Sequence, residues 1–95
     1  MNKKINTPAV DQLLDAVLTL QSREEAAKFF EDLCTVNELI SLSQRLEVAS
    51  MLKEKYTYLD IAEKTGASTA TISRVNRALN YGADGYELVI DRMKK

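Results

Sequence analysis

The chain has 95 residues, enough for one domain with a thin hydrophobic core. Its hydrophobic fraction of 45% is typical of a globular protein. The sequence has no histidine, the commonest general base and metal ligand, and its single cysteine excludes an internal disulfide. We therefore predict a protein of a reducing compartment, with no catalytic residue, no metal site and no cofactor. No apolar run is long enough for a membrane span and the N-terminus lacks a signal-peptide core, so we expect a cytoplasmic protein without a membrane partner.

The charge distribution is uneven along the chain. The net charge of −1 and the pI of about 5.4 argue against a nucleic-acid partner when taken alone. However, residues 11–52 contain eight acidic and three basic side chains, whereas residues 53–80 contain five basic and three acidic ones. The basic excess is thus confined to one short segment. The acidic total weakens a DNA-binding hypothesis without excluding it.

Apolar residues recur at helical spacing throughout the N-terminal half. The first predicted helix has Thr7 as its N-cap and Pro8 at its first position, and its apolar stripe runs from Val10 to Leu18. Ser-x-x-Glu and Thr-x-x-Glu capping boxes at Ser22 and Thr35 begin two more helices, the longer of which ends near Lys53. The second helix is predicted to bury Ala26, Phe29, Phe30 and Leu33. These apolar faces either complete a monomeric bundle or pack on a partner subunit, and the sequence does not decide between the two.

Three further helices are predicted in the C-terminal half. Thr57 and Ser68 are suited to cap two of them, and Gly82 and Gly85 precede a short last helix with Tyr86, Val89, Ile90 and Met93 on its apolar face. We find no alternating apolar run bounded by turn residues. The predicted fold class is therefore all-α, with six short helices.

The segment from Thr57 to Asn80 has the pattern of a helix-turn-helix. Ala62 is the small residue needed where the first helix passes beneath the second, and Gly66, four residues later, suits a left-handed turn. Apolar residues spaced to fill the angle between the helices are Ile61, Ala67, Ile72 and Val75. The polar face left for a DNA major groove consists of Ser68, Thr69, Ala70, Ser73, Arg74 and Arg77.

Individual side chains on this face and near it suggest different contacts with double-stranded DNA. Arg74 or Arg77 is suited to guanine O6 and N7. Phosphate contacts are predicted for Tyr58, Lys53, Lys55 and Lys64. The alternative for each lysine is a solvated surface charge, and for Arg74 it is an ion pair with a neighbouring helix. Because one reading helix covers few base pairs, we predict a homodimer.

The stretch from Phe29 to Asn80 resembles the Trp repressor superfamily, and more closely its YerC/YecD branch of small bacterial proteins. The motifs that carry the resemblance are Leu33-Cys-Thr-Val-Asn-Glu38, Gln44-Arg45 and Ala70-Thr-Ile-Ser-Arg74. The resemblance implies an intertwined homodimer in which the N-terminal helices of both subunits share a core. It also implies that residues 57–80 contact DNA. The expected organisation is one domain over residues 1–95, with dimerisation helices at 1–54, the helix-turn-helix at 57–80 and the C-terminal helix at 84–95.

The resemblance also implies a small-molecule site. Tryptophan-responsive members bind the amino acid between the long helix and the reading helix. The matching positions here are Thr35, Arg45, Thr71 and Arg74, followed by Val75 where those members have glycine. A valine side chain would project into the space where an indole lies flat. Any effector is therefore expected to be a molecule other than tryptophan.

Two functional hypotheses follow. The leading one is a sequence-specific transcriptional regulator, expected to be a repressor, that binds the major groove as a homodimer. The alternative is a helical protein-interaction module that keeps the fold without binding DNA, which the acidic pI favours. An enzyme has little support, because Cys34 has no evident base beside it and the sequence has no phosphate-binding loop.

Overall fold

The computed structural model describes residues 2–94. Within that range it contains no strand, one turn of 3-10 helix at Lys3–Ile5, and six α-helices: α1 Pro8–Leu18, α2 Arg23–Leu33, α3 Val36–Lys53, α4 Tyr58–Thr65, α5 Thr69–Tyr81 and α6 Gly85–Met93. The predicted all-α fold of six helices is confirmed. The chain divides into two compact units, one ending at Leu39 and the other beginning at Ile40. None of the helices in the described part of the chain is both long and apolar enough to cross a bilayer.

Side-chain caps begin α1 and α2 where the sequence predicts them. The Thr7 hydroxyl accepts a hydrogen bond of 3.2 Å from a backbone N–H in the first turn of α1. Ser22 accepts one of 3.1 Å from the backbone N–H of Glu25. The Glu25 carboxylate in turn accepts from the backbone N–H of Gln21, at 2.9 Å, rather than from that of Ser22. The capping box of α2 therefore closes one residue earlier than its sequence pattern predicts.

The capping box of α3 is reciprocal. The Thr35 hydroxyl accepts from the backbone N–H of Glu38 at 3.1 Å, and the Glu38 carboxylate accepts from the backbone N–H of Thr35 at 2.8 Å. Hydrogen bonding of the Glu38 carboxyl to Thr35, mainly to its backbone N–H and secondly to its side chain, lowers the pKa of Glu38 below its ordinary value. The box satisfies donors that the first turn of α3 leaves unpaired.

Neither α1 nor α2 has a fully buried residue. Leu18 is 82% exposed and Leu33 is 50% exposed, although Phe29 and Phe30 pack edge to face with ring centroids 5.6 Å apart. The prediction that α2 buries a complete apolar face is therefore wrong within one chain. The physical reason is that an apolar stripe marks the face that can be buried but does not itself supply the protein surface that covers it.

The unit that begins at Ile40 has a closed hydrophobic core, to which α3, α4, α5 and α6 all contribute. The four residues predicted to fill the angle of the helix-turn-helix are all buried in it, which confirms that prediction. Burying a side chain of valine or isoleucine size contributes about 1.5–3 kcal/mol, so this core fixes α5 firmly. Its members are Val48, Ala49, Ile61, Ala67, Ile72, Val75 and Ile90.

The predicted helix-turn-helix is confirmed as α4, a short turn and α5. The Thr57 side chain caps α4, and α4 ends at Gly66, whose φ of 74° is left-handed. The Gly66 N–H donates to the carbonyl of the half-buried Ala62 at 2.9 Å. Ser68 then caps α5 by accepting from the backbone N–H of Thr71 at 3.1 Å. The backbone N–H groups of Gly66 and Thr71 are therefore paired inside the motif.

The last helix buries less than its sequence pattern predicts. Ile90 is in the core and Tyr86 is half-buried, but Val89 and Met93 are exposed. The helix borders an apolar groove of 490 Å³ that stays open in the single chain. The lining residues of this apolar groove are Leu46, Ala78, Ala83, Gly85, Tyr86 and Val89.

Candidate nucleic-acid interface

The face of α5 that the sequence assigns to DNA is exposed. All six predicted residues are exposed to solvent: Ser68, Thr69, Ala70, Ser73, Arg74 and Arg77. The two arginines are the only charged residues of α5. Side chains at its N-terminal end are small, which lets a helix backbone approach base edges closely. The geometry needed for reading a major groove is therefore present on this face.

Ser68 has a more structural role than predicted. Its hydroxyl oxygen accepts from the backbone N–H of Thr71, and the hydroxyl also hydrogen-bonds the Thr71 side chain at 3.1 Å. With these two bonds the Ser68 hydroxyl stabilises the first turn of α5 and has less capacity left for a DNA contact. Thr69 and Ala70, the next two residues, are therefore better placed than Ser68 to meet a base edge.

The predicted phosphate ligands fall into two groups. Tyr58, the first residue of α4, is exposed, and Lys64 is exposed in the last turn of the same helix. The Lys64 ammonium lies 4.5 Å from the centre of the Tyr56 ring, a cation–π contact that leaves the charge at the surface. Lys55 lies in the connection after α3, with a φ of 68°. These side chains are exposed and cationic or phenolic, as a phosphate contact requires.

Lys53 differs from the other lysines, because its carboxylate partners disfavour the predicted phosphate contact. Its ammonium hydrogen-bonds Glu87 and, at 3.2 Å, Asp91, both on α6. The bond to Glu87 is the main cause that raises the pKa of Lys53 above its ordinary value. Lys53 therefore ties the end of α3 to α6, and its charge is already balanced within the protein.

A polar groove of 240 Å³ lies between α3 and α5. Its lining residues are Ser41, Gln44, Arg45, Thr71 and Arg74. Three of the five predicted effector-site residues thus come together: Arg45, Thr71 and Arg74. Two guanidinium groups beside a hydroxyl form a donor set suited to a carboxylate or another small oxyanion.

The other two predicted effector residues are not lining residues of this groove. Thr35 belongs to the unit that ends at Leu39, where it caps α3. Val75 is 1% exposed and is part of the hydrophobic core, not of the polar groove lining. It lies three residues after Ile72 on the buried stripe of α5, which turns it away from the polar face. The structure therefore corrects the placement of Val75 in the effector site.

Two polar contacts of the helix-turn-helix were not predicted from the sequence. Asn80 donates from its side chain to the carbonyl of Asn76 at 2.9 Å and to its side-chain oxygen at 3.1 Å. Its spacing from Ser73 and Arg77 extends the exposed face of α5 by one turn, a signal that helical periodicity could have given. The second contact is a hydrogen bond of 3.2 Å from Gln44 to the last residue of α4, and no local sequence pattern predicts it. Residues 2–94 contain no group of acidic or cysteine side chains that could hold a metal ion.

Comparison with known proteins confirms the resemblance. The family model for the Trp repressor protein matches residues 8–94. YerC of Bacillus subtilis (strain 168) is 56% identical over 92 residues, which cover 97% of this chain and 88% of that protein. A Trp operon repressor homolog of Chlamydia trachomatis is 39% identical over 71 residues, covering 67% of this chain and 73% of the homolog. The crystal structure of a TrpR like protein from Eubacterium eligens matches with a TM-score of 0.94 and 66% identity, covering 98% of this chain and 96% of that one.

Proposed function

Because the chain belongs to the Trp repressor family, we propose that it is a sequence-specific DNA-binding transcriptional regulator, a repressor, that places α5 in the major groove as a homodimer. The observation that carries the proposal is the exposed face of α5, with small side chains first and Arg74 and Arg77 beyond them. Each arginine can form a bidentate pair with guanine that discriminates against other bases by about 1–3 kcal/mol. The core beneath α5 holds this face in one orientation.

Four cations on or near the motif are available to DNA. Within residues 2–94 the ion pairs are those of Lys53, so the charges of Lys55, Lys64, Arg74 and Arg77 are not balanced by a carboxylate. If all four met phosphates, the slope of log binding constant against log salt would be about −4 for one protomer and about −7 for a dimer. These slopes are upper limits, because an arginine that reads a base does not also neutralise a phosphate.

The test is fluorescence anisotropy of labelled genomic duplex fragments over a salt series. The reading-face variant carries Arg74→Glu with Arg77→Glu, and its matched control carries Arg92→Glu with Lys94→Glu at the end of α6, with the same change of net charge. We expect the wild type and the control to select the same fragments. The reading-face variant should lose that selection while its helicity by circular dichroism is unchanged.

Two outcomes count against the proposal. Equal losses in the two variants would mean that binding depends on overall charge and not on α5. Absence of binding by the wild type at low salt would favour the second candidate function, a helical protein-interaction module. The pI of about 5.4 is the observation that favours this second candidate.

The proposed homodimer is supported by apolar surface that the single chain leaves uncovered. α1 and α2 bury no residue fully, and the apolar groove beside α6 is open. Exposed apolar patches of this kind are typical of subunit contacts. Sedimentation equilibrium should give twice the chain mass of 10.7 kDa. Leu14→Asp, on the apolar stripe of α1, should shift the equilibrium toward monomer, whereas Gln12→Asp on the same helix should not.

We also propose that any effector is a molecule other than tryptophan. The polar lining of the groove between α3 and α5 supports this, because a polar lining does not match the apolar indole ring of tryptophan. The test is to add millimolar L-tryptophan to dialysed protein in the anisotropy assay. We expect neither the DNA affinity nor the midpoint of thermal unfolding to change. A rise in both would contradict the proposal, because a ligand that binds the native state must stabilise it.

A further inference from the structure

Within residues 2–94, Gln44 makes the one side-chain hydrogen bond that reaches the helix-turn-helix from another helix. Its side-chain amide donates to the backbone carbonyl of Thr65 at 3.2 Å, and the two residues are 21 positions apart. Gln44 is half-buried on α3, and Thr65 is the last residue of α4. Carbonyls in the last turn of a helix have no partner inside the helix. The amide of Gln44 thus supplies a partner that α4 itself cannot provide.

The carbonyl that Gln44 contacts belongs to the turn that sets the direction of α5. The Thr65 hydroxyl donates to the carbonyl of Ile61 at 2.7 Å and accepts from the backbone N–H of Ala67 at 3.1 Å. Gly66 follows in the left-handed conformation, and Ser68 caps α5. Thr65 is therefore bonded on both sides of the turn, and a shift of its carbonyl moves the N-terminal end of α5.

We propose that Gln44 is a positioning residue for DNA recognition, whose amide holds the α4–α5 turn against α3. The proposal rests on the function proposed above and concerns how the reading helix is oriented. The Gln44 side chain provides this orientation without a bound ligand. The first turn of α5, with Thr69 and Ala70, is then aligned for base contact before DNA binds.

If Gln44 positions the turn, its loss should change the affinity for a preferred DNA sequence more than the affinity for any duplex. Non-specific binding depends on phosphate contacts, which tolerate a change in the angle of α5. Base-specific hydrogen bonds depend on that angle, because they require defined distances and directions. Loss of one net hydrogen bond corresponds to a change on the order of three- to tenfold in an equilibrium constant.

The experiment compares Gln44→Met with Lys53→Met. The first variant keeps the side-chain length and removes the amide donor. The second removes the other side-chain tie of α3, which leads to α6 and not to the reading motif. For each variant, dissociation constants are measured for a fragment selected by the wild type and for a scrambled duplex. In the DNA-free protein, amide hydrogen exchange is followed at Gly66 and Ala67.

We expect Gln44→Met to lower the ratio of specific to non-specific affinity on the order of three- to tenfold and to speed exchange at Gly66 and Ala67. Lys53→Met should leave the ratio and those two amides unchanged. An unchanged ratio in Gln44→Met, with a wild type that selects its fragment, would overturn the positioning role and leave the proposed function intact. If the wild type selects no fragment, the proposed function fails, and the exchange rates alone decide whether Gln44 holds the turn.

Discussion

Val75→Ala tests whether this position belongs to the core or to a ligand site. Val75 is 1% exposed, so the substitution removes two buried carbon groups. At about 0.8 kcal/mol for each group, the lost transfer energy is about 1.6 kcal/mol. A cavity that relaxes incompletely adds about 1 kcal/mol, and the better helix propensity of alanine offsets about 0.5 kcal/mol. We therefore expect the free energy of unfolding to fall by about 2 kcal/mol.

The matched control is Val36→Ala, in the first turn of α3. Val36 is 75% exposed, so this substitution removes the same atoms from a surface position. Its effect should stay within about 0.5 kcal/mol of the wild type. The assay is urea unfolding followed by circular dichroism at one fixed chain concentration, because the stability of a dimer depends on concentration. For Val75→Ala the midpoint should fall by about 1 M urea.

An equal effect of the two substitutions would refute the reasoning. It would mean that the Val75 side chain contributes no more to stability than a surface valine does. The position would then be compatible with the ligand space that the family resemblance implies. A loss confined to Val75→Ala shows instead that replacement of glycine by valine at this position adds a core residue to the helix-turn-helix.

Two further predictions concern local backbone and charge. An added Cβ at Gly82 would lie 2.3 Å from the carbonyl oxygen of Ala78, whereas one at Gly85 meets nothing within 4 Å. Gly82→Ala should therefore lower the free energy of unfolding by about 1–3 kcal/mol, and Gly85→Ala should not, as urea titration can check. The pKa of Glu38 is lowered in the folded protein, so its contribution to stability is present above its ordinary value of 4.5 and is lost as the pH falls through the folded pKa. Glu38→Gln should reduce the difference between the midpoints of thermal unfolding at neutral and at strongly acidic pH. A difference as large as that of the wild type would contradict this prediction.

Local features of the structure follow from the sequence because their causes act within a few residues. The cap at Ser68, the left-handed turn at Gly66 and the capping box of Thr35 with Glu38 each join groups three or four positions apart. Helical periodicity likewise determines which side of α5 is buried. For this reason the helix-turn-helix and its exposed face are predictable without any structure.

Contacts between distant segments do not follow from the sequence in the same way. The bond from Gln44 to Thr65 joins positions 21 apart, and the bond from Lys53 to Asp91 joins positions 38 apart. A half-buried glutamine or a lysine at a helix end could bond to many different partners, and the sequence does not show which partner is near until the helix packing is known. The burial of α1 and α2 is undetermined for a related reason, since an amphipathic stripe does not specify the surface that covers it.

The charge distribution connects the proposed DNA affinity to the proposed homodimer. One protomer has four unbalanced cations on or near its reading motif, and its net charge of −1 gives no general attraction to DNA. Because the salt-dependent part of binding grows with the number of phosphate contacts, a dimer gains far more affinity than one protomer can supply. A substitution that weakens the dimer, such as Leu14→Asp, should therefore lower DNA affinity although it leaves α5 unchanged. Raising the protein concentration should restore that loss by mass action. The loss caused by Arg77→Glu should persist at every concentration, because the proposed dimer would then have two defective reading faces.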